Sequence, residues 1–265
     1  MADVAVVTGA SRGMGLACAR MLAPRCDHLV VADLVEPDPD AFGGAAAVDA
    51  VRCDVADAAD VGALADRAAD SGDVRWIVHA AGVSPTMGDA RRMFTVDLQG
   101  SAHIVDAFGP VVAAGGAAVL FASMAARLVA GGSDAELDAI LADPLSAGAA
   151  DRFVGAAGVR DDPSMAYSWA KQGVVRLAAR SAADWGGRGA RINTVSPGSI
   201  NTPMGRQEFA QQPMMAVLLE QTPLGRLGED ADVVAAVEFL LSDAAGYVTG
   251  TDLLVDGGVV AALLG

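Results

Sequence analysis

The sequence has few of the residues that build disulfide frameworks, metal sites or nucleic-acid surfaces. Its 265 residues include three cysteines and three histidines, and 5% of them are aromatic. Cys18, Cys26 and Cys53 have no CxxC spacing and no accompanying histidine pattern, so we expect neither a disulfide scaffold nor a metal site. Positive charge is also scarce. Thirty-three acids against 18 bases give a net charge of -15, which disfavours nucleic acid and anionic lipid as partners.

Targeting segments and membrane spans are lacking as well. Asp3 and the apolar run AVVTGA lead into a turn without a basic leader region, so we expect a cytoplasmic protein. The stretch 111–132 carries little charge, but two glycine pairs and Arg127 interrupt it, which fits a buried strand with loops better than a membrane span. With 53% apolar residues, no internal repeat and no low-complexity tail, the sequence predicts a single globular domain over 1–265.

Short apolar runs alternate with helix-length segments along the chain, which is typical of a parallel sheet wrapped by helices. Several runs are rich in Val, Ile and Leu without polar alternation, as expected for strands buried on both faces. We therefore predict an α/β Rossmann-type doubly wound sheet, with helices at 61–69 and 232–241. The seven predicted strands are Val4–Thr8, His28–Asp33, Val48–Cys53, Val74–Ala80, Ala117–Ala122, Arg191–Val195 and Leu253–Val255.

A glycine cluster, TGASRGMG, follows the first predicted strand directly and contains Gly9, Gly13 and Gly15. A tight turn from strand to helix needs residues without side chains. The helix N-terminus then offers backbone amides and a partial positive charge to a pyrophosphate. Such a cluster is weak evidence alone, but its strand-turn-helix context predicts dinucleotide binding.

An acid at the end of the second predicted strand predicts which dinucleotide is bound. Asp33 lies 18 residues after Gly15, where a carboxylate can bind the adenosine ribose hydroxyls. A 2′-phosphate about 4 Å from it would be repelled by roughly 4 kcal/mol at an effective dielectric near 20. Arg12 could partly accommodate that phosphate, although a solvated side chain over the adenine edge is the favoured alternative. We expect NAD(H) to be preferred, with NADP(H) possible.

The segment YSWAK places Tyr167 and Lys171 four residues apart, so on a helix their side chains share a face. Such a pair can arise by chance on a solvated helix. A phenol beside an ammonium group can also serve as an acid and base, and this second interpretation depends on the rest of the chain.

Motifs along nearly the whole chain resemble those of the short-chain dehydrogenase/reductase family. They are TGASRGMG, the pair Asp54-Val55, Ala80-Ala81-Gly82, Ser123, YSWAK, SPGSINTPM from Ser196 and VTGTDLLVDGG from Val248, in the family's order. The resemblance implies cofactor contacts by Gly9, Ser11, Arg12, Gly13, Met14, Gly15, Asp33, Leu34, Asp54, Val55, Ala80, Ala81, Gly82, Tyr167, Lys171, Pro197, Gly198, Ile200 and Thr202.

The resemblance also implies the catalytic roles. Tyr167 is the implied general acid/base, and Ser123 is implied to hold the substrate oxygen. Lys171 is implied to hold the nicotinamide ribose and to lower the pKa of Tyr167. Bringing a phenol from near 10 toward 7 requires about 4 kcal/mol of preferential phenolate stabilisation.

Two positions depart from the family pattern. In VDLQG, Asp97 stands where the family usually has an asparagine of the proton relay. We expect its charge to favour the protonated Lys171 and to change the pH profile, although an acid that only caps or kinks its helix is an equal alternative. His79 also replaces a residue that is often polar, and we interpret it as a packing histidine.

Ser123 and Tyr167 are 44 positions apart, farther than is usual in the family. This separation implies a helical insertion over 128–162. Ser133 and Glu136 form a capping-box pattern before a helix that ends by Pro144, and a second helix is predicted between 146 and 157. We expect the insertion at the rim of the substrate pocket. It resembles the bacterial 3α-hydroxysteroid dehydrogenase/carbonyl reductase branch, which implies an apolar cyclic or steroid-like substrate and a homodimer or homotetramer. A role in assembly alone is the alternative.

The segment 203–222 matches the family's mobile substrate loop by position. Met204, Met214 and Met215 could line an adaptable apolar pocket there, or belong to ordinary core. The leading hypothesis is an NAD(H)-dependent oxidoreductase that interconverts a secondary alcohol and a ketone without a metal. The alternatives are an NADPH-dependent 3-oxoacyl-type ketone reductase and a catalytically weak dinucleotide-binding sensor or assembly protein.

Overall fold

The computed structural model describes residues 1–44, 47–129, 131–159 and 162–265, which form one α/β domain around a parallel sheet. Each of the seven predicted strands is present. They are β1 (Asp3–Thr8), β2 (His28–Asp33), β3 (Ala47–Arg52), β4 (Asp73–His79), β5 (Val112–Phe121), β6 (Arg191–Pro197) and β7 (Asp252–Val255). Their order is β3-β2-β1-β4-β5-β6-β7, so the chain reverses direction across the sheet between β1 and β4. Ligands of doubly wound sheets bind at such a switch point.

Helices cover both faces of the sheet, as the strand composition predicts. They are α1 (Gly13–Leu22), α2 (Ala58–Ser71), α3 (Ala90–Arg92), α4 (Gly100–Phe108), α5 (Ala125–Leu128), α6 (Ala135–Ala142), α7 (Ala149–Gly155), α8 (Pro163–Gly187), α9 (Pro203–Gln211), α10 (Met214–Gln221), α11 (Asp230–Leu241) and α12 (Val259–Leu264). A π-helical turn, Met93–Gln99, joins α3 to α4. The predicted helices 61–69 and 232–241 lie within α2 and α11.

Two apolar layers, one on each side of the sheet, form the core. In β1, Val6 packs into the layer with α2, α4 and α8, whereas Val7 packs into the layer with α1 and α11. Successive side chains of a strand point to opposite faces, so both positions must be apolar when both faces are covered. This explains the uninterrupted apolar runs of the sequence.

Only β2 has the predicted bounds; the other strands differ by one or two residues at an end, and the start of β5 differs most. β5 begins at Val112, five residues before the predicted start, and includes the glycine pair 115–116. Gly115 has a φ of 82°, and the register between β4 and β5 shifts nearby. This irregularity lets the strand continue through glycines that normally weaken strands. β4 ends at His79, one residue before the predicted end.

The two helices predicted within the insertion are present as α6 and α7, but the predicted cap is wrong. Asp134, not Ser133, accepts a hydrogen bond from the amide of Leu137 at 2.9 Å. The Ser133 hydroxyl instead donates to Asp138 at 2.6 Å, and Glu136 is exposed. Residues 130, 160 and 161 of the predicted insertion lie outside the described residues.

The insertion packs against the π-helical turn and α8. Phe153 of α7 stacks on Phe94 of the turn, with ring centroids 4.6 Å apart. The Gln99 side-chain amide donates to the carbonyl of Pro144 at 2.8 Å, and α6 contacts α8. These contacts join the insertion to the core of the domain.

The predicted substrate loop, 203–222, consists of α9 and α10. Thr202 caps α9 by accepting a hydrogen bond from the amide of Gly205 at 2.9 Å, and Pro203 occupies the first turn, where a missing N–H costs nothing. In the described part of the chain, no helix combines the length and the apolar character needed to cross a membrane.

Candidate active site

A cleft of about 520 Å³ opens at the carboxyl ends of β1 and β4. Its wall at the glycine loop has no room for side chains. A Cβ on Gly9, whose φ is 70°, would lie 2.5 Å from the Ala81 nitrogen, and one on Gly15 would lie 2.0 Å from the Gly9 oxygen. These glycines therefore allow the tight turn from β1 into α1, whose backbone amides can hold a pyrophosphate.

Most of the predicted cofactor residues line this one cleft. They are Gly9, Ser11, Arg12, Gly13, Met14, Gly15, Asp33, Leu34, Asp54, Val55, Ala80, Ala81, Gly82, Tyr167, Lys171 and Thr202. The lining residues that the sequence did not indicate as contacts are Val35, Cys53, Val83, Met87, Arg92, Val96, Phe121, Ala122 and Pro203. Several of these directly follow or end a predicted strand, which is a signal that could have indicated them. A single cleft lined by the glycine loop, Asp33, Tyr167 and Lys171 fits a dinucleotide.

Three predicted cofactor residues lie elsewhere. Pro197, Gly198 and Ile200 are absent from the lining of the cleft. Ile200 lines a separate cavity with Met215, and a Cβ on Gly198 would lie 2.7 Å from Asp256 Cα. Their predicted contacts with the cofactor stay predictions.

One end of the cleft carries the carboxylate of Asp33, held by two backbone amides. Ser11 N donates to Oδ2 at 3.0 Å, and Leu34 N donates to Oδ1 at 2.7 Å. Arg12, on the same wall, is exposed and makes no ion pair with any described residue. Because two amides fix the carboxylate, this end of the cleft presents negative charge in a defined position.

The other end holds the Tyr167–Lys171 pair of α8. Lys171 Nζ donates to the carbonyl of Phe121 at 3.0 Å and lies 5.8 Å from the centre of the Tyr167 ring. It also lies 3.1 Å from Asp97 Oδ1, and both charged side chains are buried. A solvated helix face would not bury the ammonium group, so the interpretation as a chance pair on an exposed helix is disfavoured.

Asp97 lies in the π-helical turn with its carboxylate directed to Lys171. Oδ1 also accepts a hydrogen bond from the amide of Val83 at 3.1 Å, whereas buried Oδ2 has no partner among the described residues. Burial raises the pKa of Asp97, and Lys171 and the Val83 amide oppose that rise. The helix is irregular at this position, but capping or kinking alone does not account for the ion pair.

In the protein alone, burial and two nearby acids raise the pKa of Tyr167, and the lowering by Lys171 that the resemblance implies stays a prediction. Burial is the main cause, and the negative charges of Asp97 and Glu208 add to it, while hydrogen bonding with Ser123 opposes it. The charge of Lys171 is offset by its ion pair with Asp97. Ser123 is nearly buried at the end of β5, and its Oγ accepts a hydrogen bond from Ala125 N at 3.2 Å. The structure thus brings Ser123 and Tyr167 together.

His79 is buried beside this group, and the structure agrees with its interpretation as a packing residue. Its Nδ1 lies 2.7 Å from the Thr8 hydroxyl. Burial, with a smaller effect of Lys171, lowers the pKa of His79 to about 3, so the ring is neutral at physiological pH. The three cysteines are free, and burial raises the pKa of Cys53, which lines the cleft, to about 11.

A polar cluster beside Tyr167 was missed by the sequence reasoning. Glu208 of α9 is half-buried, and burial raises its pKa while the nearby Ser84 hydroxyl opposes that rise. Ser84 Oγ lies 3.0 Å from Thr86 Oγ1.

Among the three methionines of 203–222, Met204 lines the cleft, Met215 lines the separate cavity, and Met214 is exposed. The predicted pocket of three methionines is therefore not formed.

The described part of the insertion does not line the cleft. None of the described residues within 128–162 lines the cleft, so its predicted place at the pocket rim stays a prediction.

Comparison with known proteins agrees with this geometry. A family model described as enoyl-(acyl carrier protein) reductase matches residues 9–137 and 152–260, leaving out 138–151 within the insertion. The chain is 33% identical to D-threitol dehydrogenase from Mycolicibacterium smegmatis, over 96% of this chain and 92% of that one. It is 34% identical to cis-4-hydroxycyclohexanecarboxylate dehydrogenase from Sinomonas cyclohexanicum, over 97% and 96%.

A solved structure extends the likeness to the fold. The 3α-hydroxysteroid dehydrogenase of Pseudomonas sp. B-0831, crystallised with NADH, superposes with a TM-score of 0.81 at 28% identity, covering 99% of this chain and 98% of that chain. This protein and the two relatives are all named as dehydrogenases. With the glycine-walled cleft and the convergence of Ser123, Tyr167 and Lys171, these matches show that the chain belongs to the short-chain dehydrogenase/reductase family.

Proposed function

We propose that this chain is an NAD(H)-dependent oxidoreductase that interconverts a secondary alcohol and a ketone. The observation that carries the proposal is the convergence of Ser123, Tyr167 and Lys171 at one end of a cleft whose other end holds Asp33. The cleft joins a dinucleotide site to an acid/base group, which is what hydride transfer at a hydroxyl-bearing carbon requires.

In this mechanism NAD⁺, when bound, would be the hydride acceptor. Ser123 Oγ holds the substrate oxygen, and the phenol oxygen of Tyr167 takes the hydroxyl proton during oxidation and returns it during reduction. Lys171 is fixed by the Phe121 carbonyl and Asp97, so that its ammonium group faces the Tyr167 ring and can hold a ribose hydroxyl. The glycine loop and the start of α1 hold the pyrophosphate.

Asp33 supports NAD(H) over NADP(H). Its amide-held carboxylate can accept a hydrogen bond from a ribose hydroxyl and would repel a 2′-phosphate beside it. Arg12 supports the alternative of an NADPH-dependent 3-oxoacyl-type reductase, because it lines the same end of the cleft without a partner carboxylate among the described residues.

For the substrate, we propose an alcohol on an apolar cyclic skeleton. Two similar proteins are named for a hydroxysteroid and for a hydroxylated cyclohexane. In this chain Met87, Val96 and Met204 line the cleft, and such side chains suit a ring. We further propose that the protein is cytoplasmic, that it forms a homodimer or homotetramer, and that the insertion contacts the substrate.

Replacing the proposed acid/base group tests the reaction. Tyr167→Phe should lower turnover of secondary alcohols with NAD⁺ by at least about a hundredfold, the usual contribution of a positioned acid/base. Tyr247→Phe is the matched control, because the chain has two tyrosines and Tyr247 is fully exposed. Equal turnover by the two variants would reject the mechanism and favour a dinucleotide-binding sensor or assembly protein.

A further inference from the structure

The hydroxyl group of Ser123 is oriented by the short helix α5, which begins two residues later. Ser123 Oγ accepts a hydrogen bond from the Ala125 amide at 3.2 Å, and the Ser123 carbonyl accepts one from the Ala126 amide at 3.0 Å. A hydroxyl group has one hydrogen to donate and two lone pairs. Because the Ala125 amide occupies one lone pair, the position of α5 sets the directions in which the hydroxyl group can still donate and accept.

α5 needs tertiary contacts to keep its place. It consists of the four residues Ala125–Leu128, and so short a helix is marginal by itself. Before the helix, the Met124 amide donates to the Pro197 carbonyl at 2.9 Å, and along its length α5 packs on α8. Apolar packing is non-directional. Arg127 is the one residue of α5 with a polar side chain, so the directed side-chain contacts of this helix come from Arg127.

The guanidinium group of Arg127 holds α5 against β7 at two points. Nε donates to Asp252 Oδ2 at 2.8 Å, and Nη2 donates to the Asp252 carbonyl at 3.0 Å. The carboxylate itself is fixed to β6, because Oδ1 accepts hydrogen bonds from the hydroxyl groups of Thr194 at 2.7 Å and Ser196 at 2.8 Å. The Asp252 side chain is 3% exposed. A planar guanidinium group bound at two points has a defined orientation, so the sheet fixes α5 through Arg127.

We propose that Arg127 is a positioning residue, which acts through α5 and the Ala125 amide to orient the Ser123 hydroxyl group toward the substrate oxygen. The inference rests on the proposed oxidation of a secondary alcohol, in which Ser123 holds that oxygen. Neither Arg127 nor Asp252 is among the described residues that line the cleft. Arg127 therefore acts through Ser123 and does not touch the substrate.

Arg127→Lys tests this role in the full chain. Lysine keeps the positive charge that a buried carboxylate needs, but it lacks the rigid fork of the guanidinium group. The reaction is oxidation by NAD⁺ of the best substrate in a panel of cyclic secondary alcohols that includes cyclohexanol. We expect kcat to fall by at least about fivefold, because small misplacements of a substrate-holding group are costly. The dissociation constant of NADH should change by less than about twofold.

Arg67→Lys is the matched control. Arg67 also binds the carboxylate of a strand residue, Asp49, through Nε and Nη2, but it lies in α2 and does not line the cleft. This variant should keep the wild-type kcat.

A double-mutant cycle with Ser123→Ala separates positioning from general stability. If Arg127 acts through Ser123, Arg127→Lys should change kcat by less than about twofold in the Ser123→Ala protein. The same cycle can be measured without turnover, as calorimetric binding of the corresponding ketone to the NAD⁺ complex, which has no hydride to transfer. There, Arg127→Lys should weaken ketone binding at least about threefold when Ser123 is present and less than about twofold when it is absent.

Equal losses in the two backgrounds would overturn the positioning role and leave the proposed oxidation intact. Wild-type kcat and ketone binding in Arg127→Lys would do the same. Absence of turnover of every alcohol in the panel by the wild-type protein would reject the proposed function, and the positioning role with it.

Discussion

Lys171 Nζ lies 3.1 Å from Asp97 Oδ1, and the two side chains form a buried ion pair beside the phenol of Tyr167. The pair links the π-helical turn to α8 beside the cleft, which Lys171 lines. Because Asp97 offsets the positive charge of Lys171, less of that charge is free to stabilise a phenolate. The negative charge of Asp97 also raises the pKa of Tyr167 directly.

The first prediction concerns the pH dependence of alcohol oxidation. Oxidation needs deprotonated Tyr167, so the rate should rise with pH through the pKa of that phenol. Asp97→Asn removes one cause of the raised pKa, and the midpoint of the pH profile of kcat should therefore move to lower pH. Asp106→Asn is the control, because Asp106 is exposed on α4. A midpoint that stays in place or moves to higher pH would contradict the assigned effect of Asp97.

The second prediction concerns the close approach of Gly82 to the ion pair. A Cβ at this position would lie 2.7 Å from Asp97 Oδ1 and 3.2 Å from Lys171 Nζ. Gly82→Ala should displace the pair and lower kcat by about tenfold or more, because small misplacements of catalytic groups are costly.

Gly62→Ala in α2 is the matched control for this substitution, since nothing lies within 4 Å of its Cβ. Alanine replaces glycine within a helix there, so stability should rise by about 0.5–1 kcal/mol with turnover unchanged. Urea unfolding and steady-state kinetics measure the two effects. If Gly82→Ala leaves turnover unchanged, as Gly62→Ala should, the active site tolerates movement of the Lys171–Asp97 ion pair.

The strands were predictable because burial on both faces imposes uninterrupted apolar sequence, and the seven predicted strands are all present. The early start of β5 was not predictable from the sequence, because it depends on a register shift against β4 that accommodates Gly115 and Gly116. The cap of α6 was also missed. Whether Ser133 or Asp134 caps depends on the competing acceptor Asp138, which only the folded helix brings into reach.

Within the site, local motifs were more informative than isolated residues. In the glycine loop and in the Tyr167–Lys171 pair, the spacing of the residues along the chain predicts their arrangement, and both line the cleft. Glu208 has no such signal, since a lone acid in a predicted loop says nothing about the tyrosine 41 positions away in the chain. The direction of the pKa shift of Tyr167 also depends on tertiary contacts, namely burial and two carboxylates from other segments.

The third prediction concerns cofactor selectivity. Wild-type protein should bind NADH at least about a hundredfold more tightly than NADPH, because the amide-held carboxylate of Asp33 repels a 2′-phosphate. Asp33→Asn should strengthen NADPH binding by about tenfold or more. Adding Arg12→Ala should reverse part of that gain if the guanidinium binds the phosphate. Fluorescence titration at one salt concentration measures each affinity, and tighter NADPH binding by the wild type would contradict the assignment.

The fourth prediction is that the insertion supports the π-helical turn that contains Asp97. Phe153 is fully buried and stacks on Phe94, which lies in the same π-helical turn as Asp97. Truncating a buried phenylalanine leaves a cavity, so Phe153→Ala should lower the free energy of unfolding by about 3–5 kcal/mol. Phe239→Ala is the control, because Phe239 is 44% exposed on α11, and its effect should stay within about 0.5 kcal/mol.

Kinetics of the folded Phe153→Ala protein then separate support from stability. If the stacked rings hold the turn, loosening them should displace Asp97 from Lys171, so that kcat falls at temperatures where the variant is still folded. NADH affinity should change less, because the glycine loop and Asp33 lie at the other end of the cleft. A loss of stability with wild-type kcat would instead mean that the insertion adds core without fixing the ion pair.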